Sequence, residues 1–133
     1  MCQVEIIAEV ANAHQGKPEI ALQLAEAAVQ AGADSVKFQI YYSEEFIAKT
    51  HSRFDHFKKQ SFTEDVWNDL LARVKMLEAK IYADVFGIRA LKTAMKNNID
   101  GYKIHSSDLC NTKLLNKLSQ QEKKVFFATG GST

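Results

Sequence analysis

The chain alternates between short apolar runs and longer segments in which apolar residues recur every three or four positions. Short apolar runs bounded by turn residues are typical of buried strands, and the three-to-four repeat is typical of amphipathic helices. Five runs have the strand pattern: residues 4–10, 36–40, 81–86, 101–104 and 124–128. The pattern therefore predicts five strands with helical segments between them.

The predicted helices carry recognisable start and stop residues. Pro18 suits a first helical turn, an apolar repeat follows it, and Gly32 is placed to end the helix. Thr63 is suited to cap a second helix, because acidic residues follow it in the first turn. Shorter apolar repeats around Leu91 and Leu114 predict two more helices.

Strands that alternate with helices through short connections are parallel and are joined by right-handed crossovers. We therefore predict an α/β fold with about five parallel strands and four helices in one domain, residues 1–133. One connection, residues 41–62, is long, charged and aromatic. It is either a binding loop or lid, or a solvated excursion with a short helix of its own. His51 and His56 within it are not at a metal-binding spacing.

Composition narrows the classes of protein that need to be considered. A chain of 133 residues with a formal net charge of +1 has no field that would attract nucleic acid or a membrane surface. Neither a leader-like start nor an apolar stretch of membrane-spanning length is present, so we expect a cytoplasmic protein without a membrane partner. Cys2 and Cys110 match no metal or redox spacing and are predicted to be reduced thiols.

Polar residues interrupt the predicted strands or follow them directly. Lys37 and Gln39 alternate with apolar neighbours, so their side chains point to the opposite face from Phe38. In α/β proteins, ligands bind at the carboxyl ends of the strands. The candidate residues at these positions are Glu9, Asn12, His14, Lys37, Gln39, Asp84, Lys103, Ser106, Asp108 and Thr129.

Two lysines within these strands point to an anion. Alternation places Lys37 and Lys103 on the same side of the sheet as Glu9. Buried ammonium groups need negative partners, and a phosphate accepts several charge-assisted hydrogen bonds at once. The alternative is that Glu9 forms an ion pair that merely fills the interior, which would account for one lysine and leave the second without a partner.

Four segments, taken in order, carry a resemblance that covers the chain essentially end to end: "IIAEVANAHQG", "GADSVKFQ", "YKIHSSD" and "ATGG". On these segments the chain resembles the sialic acid synthase family. The resemblance implies a TIM-barrel enzyme that condenses phosphoenolpyruvate with an N-acetylated aldose such as N-acetylmannosamine. It also implies carbon–oxygen cleavage with release of phosphate, a divalent metal (Mn²⁺ or Mg²⁺), and a homodimer for the complete enzyme.

The resemblance also implies roles for individual residues. Lys37, Lys103 and Ser106 fall on ligands of phosphoenolpyruvate, and Gln39 lines the same pocket. Glu9 matches the catalytic carboxylate near the enolpyruvate and the incoming water.

Further positions take supporting roles under the same resemblance. Asp108 falls where the family has a glutamate that binds sugar hydroxyls. His14 matches the histidine of the family's NHNG segment, and we expect it to act with Asn12 and Thr129 in positioning rather than in proton transfer.

Two departures from the family pattern alter these expectations. Asp84 occupies the place of a phosphate-contacting threonine in the phosphoenolpyruvate site, where a carboxylate repels phosphate unless it pairs with a lysine or turns away.

The second departure is the length of the chain, because a complete barrel needs eight strands and roughly 200 to 250 residues. We therefore expect the N-terminal part of a barrel, without the metal-binding histidines of the later strands and without a second domain. Such a chain is expected to be inactive alone, and to self-associate or be poorly stable.

Two other functions fit the same residues. Lys103 could form a Schiff base in an aldolase, because a strand lysine in a barrel can act as a nucleophile when its pKa is depressed. A non-catalytic fragment or binding module could also retain the family sequence without the activity.

Overall fold

The structure is a computed structural model that describes residues 4–131. The strands and helices follow one another in this order: β1 (Ile7–Ala11), α1 (Pro18–Gln30), β2 (Ser35–Ile40), α2 (Ser43–Phe46), α3 (Phe54–Gln60), α4 (Glu64–Lys75), β3 (Lys80–Val85), α5 (Gly87–Lys96), β4 (Gly101–Ile104), α6 (Thr112–Leu118) and β5 (Lys124–Phe127). A 3₁₀ turn, Ser106–Asp108, lies between β4 and α6. None of the described helices is long and apolar enough to cross a membrane.

The five strands form one parallel sheet in the order β1-β2-β3-β4-β5. This confirms the predicted α/β class with five parallel strands, and the strands are neighbours in the sheet in the same order as in the sequence. The first strand begins at Ile7 rather than at residue 4. The preceding residue, Ile6, is hydrogen-bonded to the turn before β2. Its amide donates to Asp34 Oδ2 at 2.7 Å, and its carbonyl accepts from the amides of Asp34 and Ser35.

The four predicted helices are present as α1, α4, α5 and α6. Thr63 caps α4 as expected, with its hydroxyl oxygen accepting a hydrogen bond from the amide of Val66 at 3.4 Å. These helices and one face of the sheet enclose the core, whose largest fully buried side chains include Trp67, Phe38 and Leu91. Because consecutive crossovers share one hand, the helices lie on that face and leave the other face for polar residues.

The long connection between β2 and α4 contains two short helices, α2 and α3, and it is anchored rather than fully solvated. Tyr41, Phe46, Phe57 and Phe86 pack as an aromatic cluster, with ring centroids 4.8 to 6.4 Å apart. Glu45 accepts a hydrogen bond from the amide of Arg89 in the first turn of α5. The connection is therefore fixed to the helical layer near the carboxyl end of β3.

Candidate anion-binding site

The strand register gathers charged residues on the face of the sheet that the helices do not cover. Glu9 on β1 lies opposite Lys37 on β2, and Asp84 on β3 lies opposite Lys103 on β4. Gln39 follows Lys37 on the same face and is registered with Asp84. The predicted convergence of both lysines with Glu9 on one face is thus observed.

The charged side chains form a continuous chain of ion pairs with alternating sign. Lys37 Nζ lies 2.5 Å from Glu9 Oε2 and 3.2 Å from Asp84 Oδ1. Lys103 Nζ donates to the other oxygen, Asp84 Oδ2, at 2.8 Å. The two oxygens of Asp84 therefore each hold one ammonium group.

Asp84 corrects one argument made from the sequence. The sequence argument against an internal ion pair counted Glu9 alone and so left one lysine over, although pairing with a lysine is one of the two possibilities given above for Asp84. That argument is wrong, because Asp84 lies between Lys37 and Lys103 and contacts both. Its predicted place among the ligands of phosphoenolpyruvate stays a prediction.

Burial differs along this chain of charges. Asp84 is fully buried and Lys37 is 8% exposed, whereas the side chains of Glu9 and Lys103 are 41% and 26% exposed. Burial alone would lower the pKa of Lys37, but its hydrogen bond to Glu9 and the charge of Asp84 outweigh burial and raise that pKa above 10.5. Lys37 is therefore a cation at neutral pH. Glu9 and Lys103 are the solvent-facing ends of the ion-pair chain.

A cavity of about 360 Å³ opens over these side chains. Glu9, Lys37 and Lys103 supply its charged wall, while Ile7 and Phe126 supply its apolar wall. Its size is in the range of small-molecule sites, which are mostly apolar with a few convergent polar groups. The arrangement can hold a small ligand that carries an anionic group and an apolar portion.

Sequence analysis did not identify two residues that line the cavity. Phe126 lies opposite Lys103 in the register of β4 and β5, and Ile7 precedes Glu9 by two positions on β1. The two-residue period of a strand places Ile7 on the face of Glu9, so alternation could have found it. Phe126 sits in the apolar run "KVFF", where only the register with β4 identifies its face.

Other predicted site residues lie away from this cavity. Asp108 lines a second cavity of about 230 Å³ that also borders Glu45 and Phe86. Its Oδ1 accepts a hydrogen bond from Asn111 Nδ2 at 3.0 Å. Ser106 begins the 3₁₀ turn next to that cavity.

The residues predicted to have positioning roles lie at different depths. Thr129 is exposed beyond β5, whereas His14 is only 1% exposed and packs on Phe62 with ring centroids 4.5 Å apart. His14 Nδ1 accepts from the amide of Gly16, and burial lowers the pKa of the imidazole. His14 Nε2 and Asn12 Oδ1 are buried without a hydrogen-bond partner among residues 4–131. His14 therefore lies in the packing of the helical layer.

A second ionic cluster, which sequence reasoning did not identify, lies at the amino ends of the strands. Glu5 accepts hydrogen bonds from Tyr82 and Lys124, both at 2.7 Å, and from Lys80 at 3.4 Å. These interactions, led by the hydrogen bond from Lys124, lower the pKa of Glu5 to about 2. The cluster is at the opposite end of the sheet from the loops that follow the strands.

The divalent metal implied by the resemblance would need a group of His, Cys, Asp or Glu side chains as ligands. Within the described range, no three His, Cys, Asp or Glu side chains come together as a group that could hold a metal ion. The two carboxylates nearest the cavity, Glu9 and Asp84, are both engaged by lysines. These residues do not fit a metal centre.

Comparison with protein families identifies the chain. The model of the NeuB family matches residues 24–133, which include β2 to β5 and three members of the ion-pair chain. The chain belongs to the NeuB family. It is 30% identical to the N-acetylneuraminate-9-phosphate synthase of Drosophila melanogaster, an alignment that covers 98% of this chain and 38% of that protein.

Other proteins are similar to this chain over almost its whole length. An uncharacterized protein of Methanocaldococcus jannaschii is 33% identical over 96% of this chain and 38% of its own length. The crystal structure of the N-acetylneuraminic acid synthetase of Leptospira borgpetersenii, in complex with citrate, superposes with a TM-score of 0.90 at 27% identity. That superposition covers 99% of this chain and 46% of the synthetase. The chain thus spans well under half the length of the curated relatives that it matches.

Proposed function

We propose that this NeuB-family chain supplies the phosphoenolpyruvate-binding part of a sialic or nonulosonic acid synthase. The observation that carries the proposal is the pair of ammonium groups, Lys37 from β2 and Lys103 from β4, in the wall of one cavity. Family membership and the named synthases among its relatives support the general activity. Phosphoenolpyruvate and an N-acetylated aldose are the proposed substrates.

The proposed reaction joins the two substrates and consumes one water. The methylene carbon of phosphoenolpyruvate bonds to the aldehyde carbon, and the water oxygen adds to the central carbon of the enolpyruvate. The bond between that carbon and the phosphate oxygen breaks, and the two protons of the water end on the new sugar hydroxyl and on the released phosphate.

The side chains on this face suit distinct parts of that chemistry. Lys37 and Lys103 would orient the acidic groups of phosphoenolpyruvate by charge-assisted hydrogen bonds. Glu9 is the carboxylate in the cavity wall and its side chain is 41% exposed, so it would orient the attacking water or take its proton. Phe126 and Ile7 would pack against the apolar methylene and help to exclude bulk water.

The second cavity suits the other substrate. Asp108, Glu45 and Asn111 border it and offer several acceptors and donors for sugar hydroxyls. The chain spans only part of the length of its relatives. We therefore propose the complete sugar site, the divalent metal and the homodimer for the whole protein. Within residues 4–131 the side chains do not form a metal centre, and none of the steps above is assigned to a metal.

The Schiff-base aldolase is less well supported by the geometry. An amine that attacks a carbonyl needs its lone pair, whereas Lys103 Nζ is held in an ion pair by Asp84 at 2.8 Å. Borohydride reduction in the presence of pyruvate separates the two enzymes. A covalent adduct at Lys103 supports the aldolase, and the synthase predicts no adduct. If the chain is instead a non-catalytic binding module, phosphoenolpyruvate should bind to it, but the whole protein should release no phosphate.

Calorimetric titration with phosphoenolpyruvate tests the proposal. Lys37→Met and Lys103→Met should each weaken binding by about 1.5 to 3 kcal/mol, the range for one charged hydrogen bond, which is about ten- to 150-fold in Kd. Lys92→Met is the matched control, because Lys92 is an exposed lysine on helix α5 of the opposite layer. Unchanged affinity in both site variants would contradict the proposal.

A further inference from the structure

We propose that Asp84 is an internal anion that occupies the two lysines of the free protein, and that Lys103 must leave it when a phosphate-bearing ligand binds. Asp84 would then limit the affinity of the site for such ligands. This inference rests on the proposed function, since it concerns how the same site admits phosphoenolpyruvate or inorganic phosphate.

The charge balance of the site is the first argument. Glu9 and Asp84 together neutralise Lys37 and Lys103, so the four groups carry no net charge. A doubly charged phosphate group that approaches this set meets two carboxylates as well as two ammonium groups. Like charges at a few ångströms disfavour each other, and a buried carboxylate is screened little by salt. Removing the charge of Asp84 should therefore strengthen phosphate binding.

The hydrogen-bond geometry is the second argument. Both Asp84 oxygens already accept from ammonium groups, at 3.2 Å from Lys37 and at 2.8 Å from Lys103. Asp84 is fully buried, and β3 places it in the middle strand of the five. An oxygen of the ligand must therefore take the place of an Asp84 oxygen as the acceptor for a lysine. An ionised carboxylate also has no proton to donate, so Asp84 cannot form a hydrogen bond to the ligand.

The two lysines differ in how readily they can turn to a ligand. Lys37 is 8% exposed and is held from two sides, by Glu9 and by Asp84. Lys103 has only Asp84 as an ion-pair partner within residues 4–131, and its side chain is 26% exposed. Rotation of Lys103 costs one ion pair and leaves Asp84 neutralised by Lys37. Lys103 is therefore the ammonium group that exchanges Asp84 for the ligand.

The test compares the affinity of the wild type for inorganic phosphate and phosphoenolpyruvate with that of Asp84→Asn and Asp84→Thr. Each substitution removes the charge of Asp84, so we expect each variant to bind phosphate at least about tenfold more tightly than the wild type does. Glu122→Gln is the matched control, because it removes one negative charge at an exposed position before β5. Its affinity should equal that of the wild type.

The outcomes separate this inference from the proposed function. Equal binding of phosphoenolpyruvate by the wild type and both folded Asp84 variants overturns the inference and leaves the proposed function standing. No binding by any of them contradicts both. If neither variant folds, NMR of the lysine ammonium groups in the wild type decides. The signal of Lys103 should shift on addition of phosphoenolpyruvate more than that of Lys37, and an unmoved Lys103 signal in saturated protein overturns the inference.

Discussion

The carboxylate of Glu5 accepts a hydrogen bond from Lys124 at 2.7 Å, across 119 positions of sequence. Glu5 lies just before the first strand and Lys124 begins the fifth, so the contact joins the two edges of the sheet. In a flat sheet these strands would lie about 19 Å apart, beyond the reach of the two side chains. The sheet is therefore strongly curved, and its concave face is the one that carries Lys37 and Lys103.

This contact predicts a specific acid sensitivity. The pKa of Glu5 is lowered from 4.5 to about 2, first by the hydrogen bond from Lys124 and then by that from Tyr82. A carboxyl group whose pKa is lowered by folding stabilises the folded state at pH values above its pKa in the unfolded chain. For Glu5 this contribution is lost as the pH falls from about 4.5 to about 2. Glu5→Gln should therefore be less stable than the wild type at neutral pH, and the difference should shrink over that range.

Urea unfolding at a series of pH values measures this difference. Glu122→Gln serves as the control, since it removes a carboxylate at an exposed position. A difference between Glu5→Gln and the wild type that stays constant from neutral pH to pH 2 would show that the ionised carboxylate of Glu5 does not stabilise the fold.

Asp84 should be important for stability as well as for binding. Among residues 4–131, Asp84→Ala would leave the buried Lys37 with Glu9 as its one ion-pair partner and Lys103 without an ion-pair partner. Breaking a buried ion pair by removal of one partner costs about 3 to 5 kcal/mol. We expect a loss of that order in the free energy of unfolding, and partial recovery when Lys103→Met is added. A change below about 1 kcal/mol, the range of exposed pairs, would mean that the buried charges do not depend on Asp84.

His14 should make stability fall at mildly acidic pH. Burial lowers the pKa of this imidazole from its ordinary 6.5, so the folded protein holds it neutral. A base with a depressed pKa contributes stability that is present above the pKa of the unfolded chain and is lost as the pH falls through it. His14→Asn keeps an acceptor for the Gly16 amide and should flatten the decline below about pH 6.5, whereas His56→Asn, at an exposed position, should not. Identical slopes in all three proteins would argue against a buried neutral His14.

The sequence predicted most of the fold because its signals are local. Alternation around Lys37 was sufficient to identify a strand with one polar face, and Pro18 and Thr63 marked helix starts that the structure confirms. The ion pairs of Asp84 could not be predicted in the same way. They depend on the register between strands β2, β3 and β4, which is set by packing between residues that are far apart in sequence.

The same distinction explains what was missed elsewhere in the molecule. Glu5 meets Lys124 only because the whole sheet curves, and no short window of sequence carries that information. The connection between β2 and α4 has too few regular apolar positions to predict α2 and α3 separately. It is fixed instead by the aromatic cluster and by Glu45, which reach from this connection to Phe86 after β3 and to Arg89 in α5.

The most direct test of the central claim is a crystal structure of the protein soaked with phosphoenolpyruvate. We expect the ligand in the cavity lined by Glu9, Phe126 and the two lysines, with an anionic oxygen within hydrogen-bond distance of Lys37 Nζ or Lys103 Nζ. Ligand bound instead at the Glu5 end of the sheet, or an empty cavity with both lysines still on Asp84 at a saturating concentration, would contradict it.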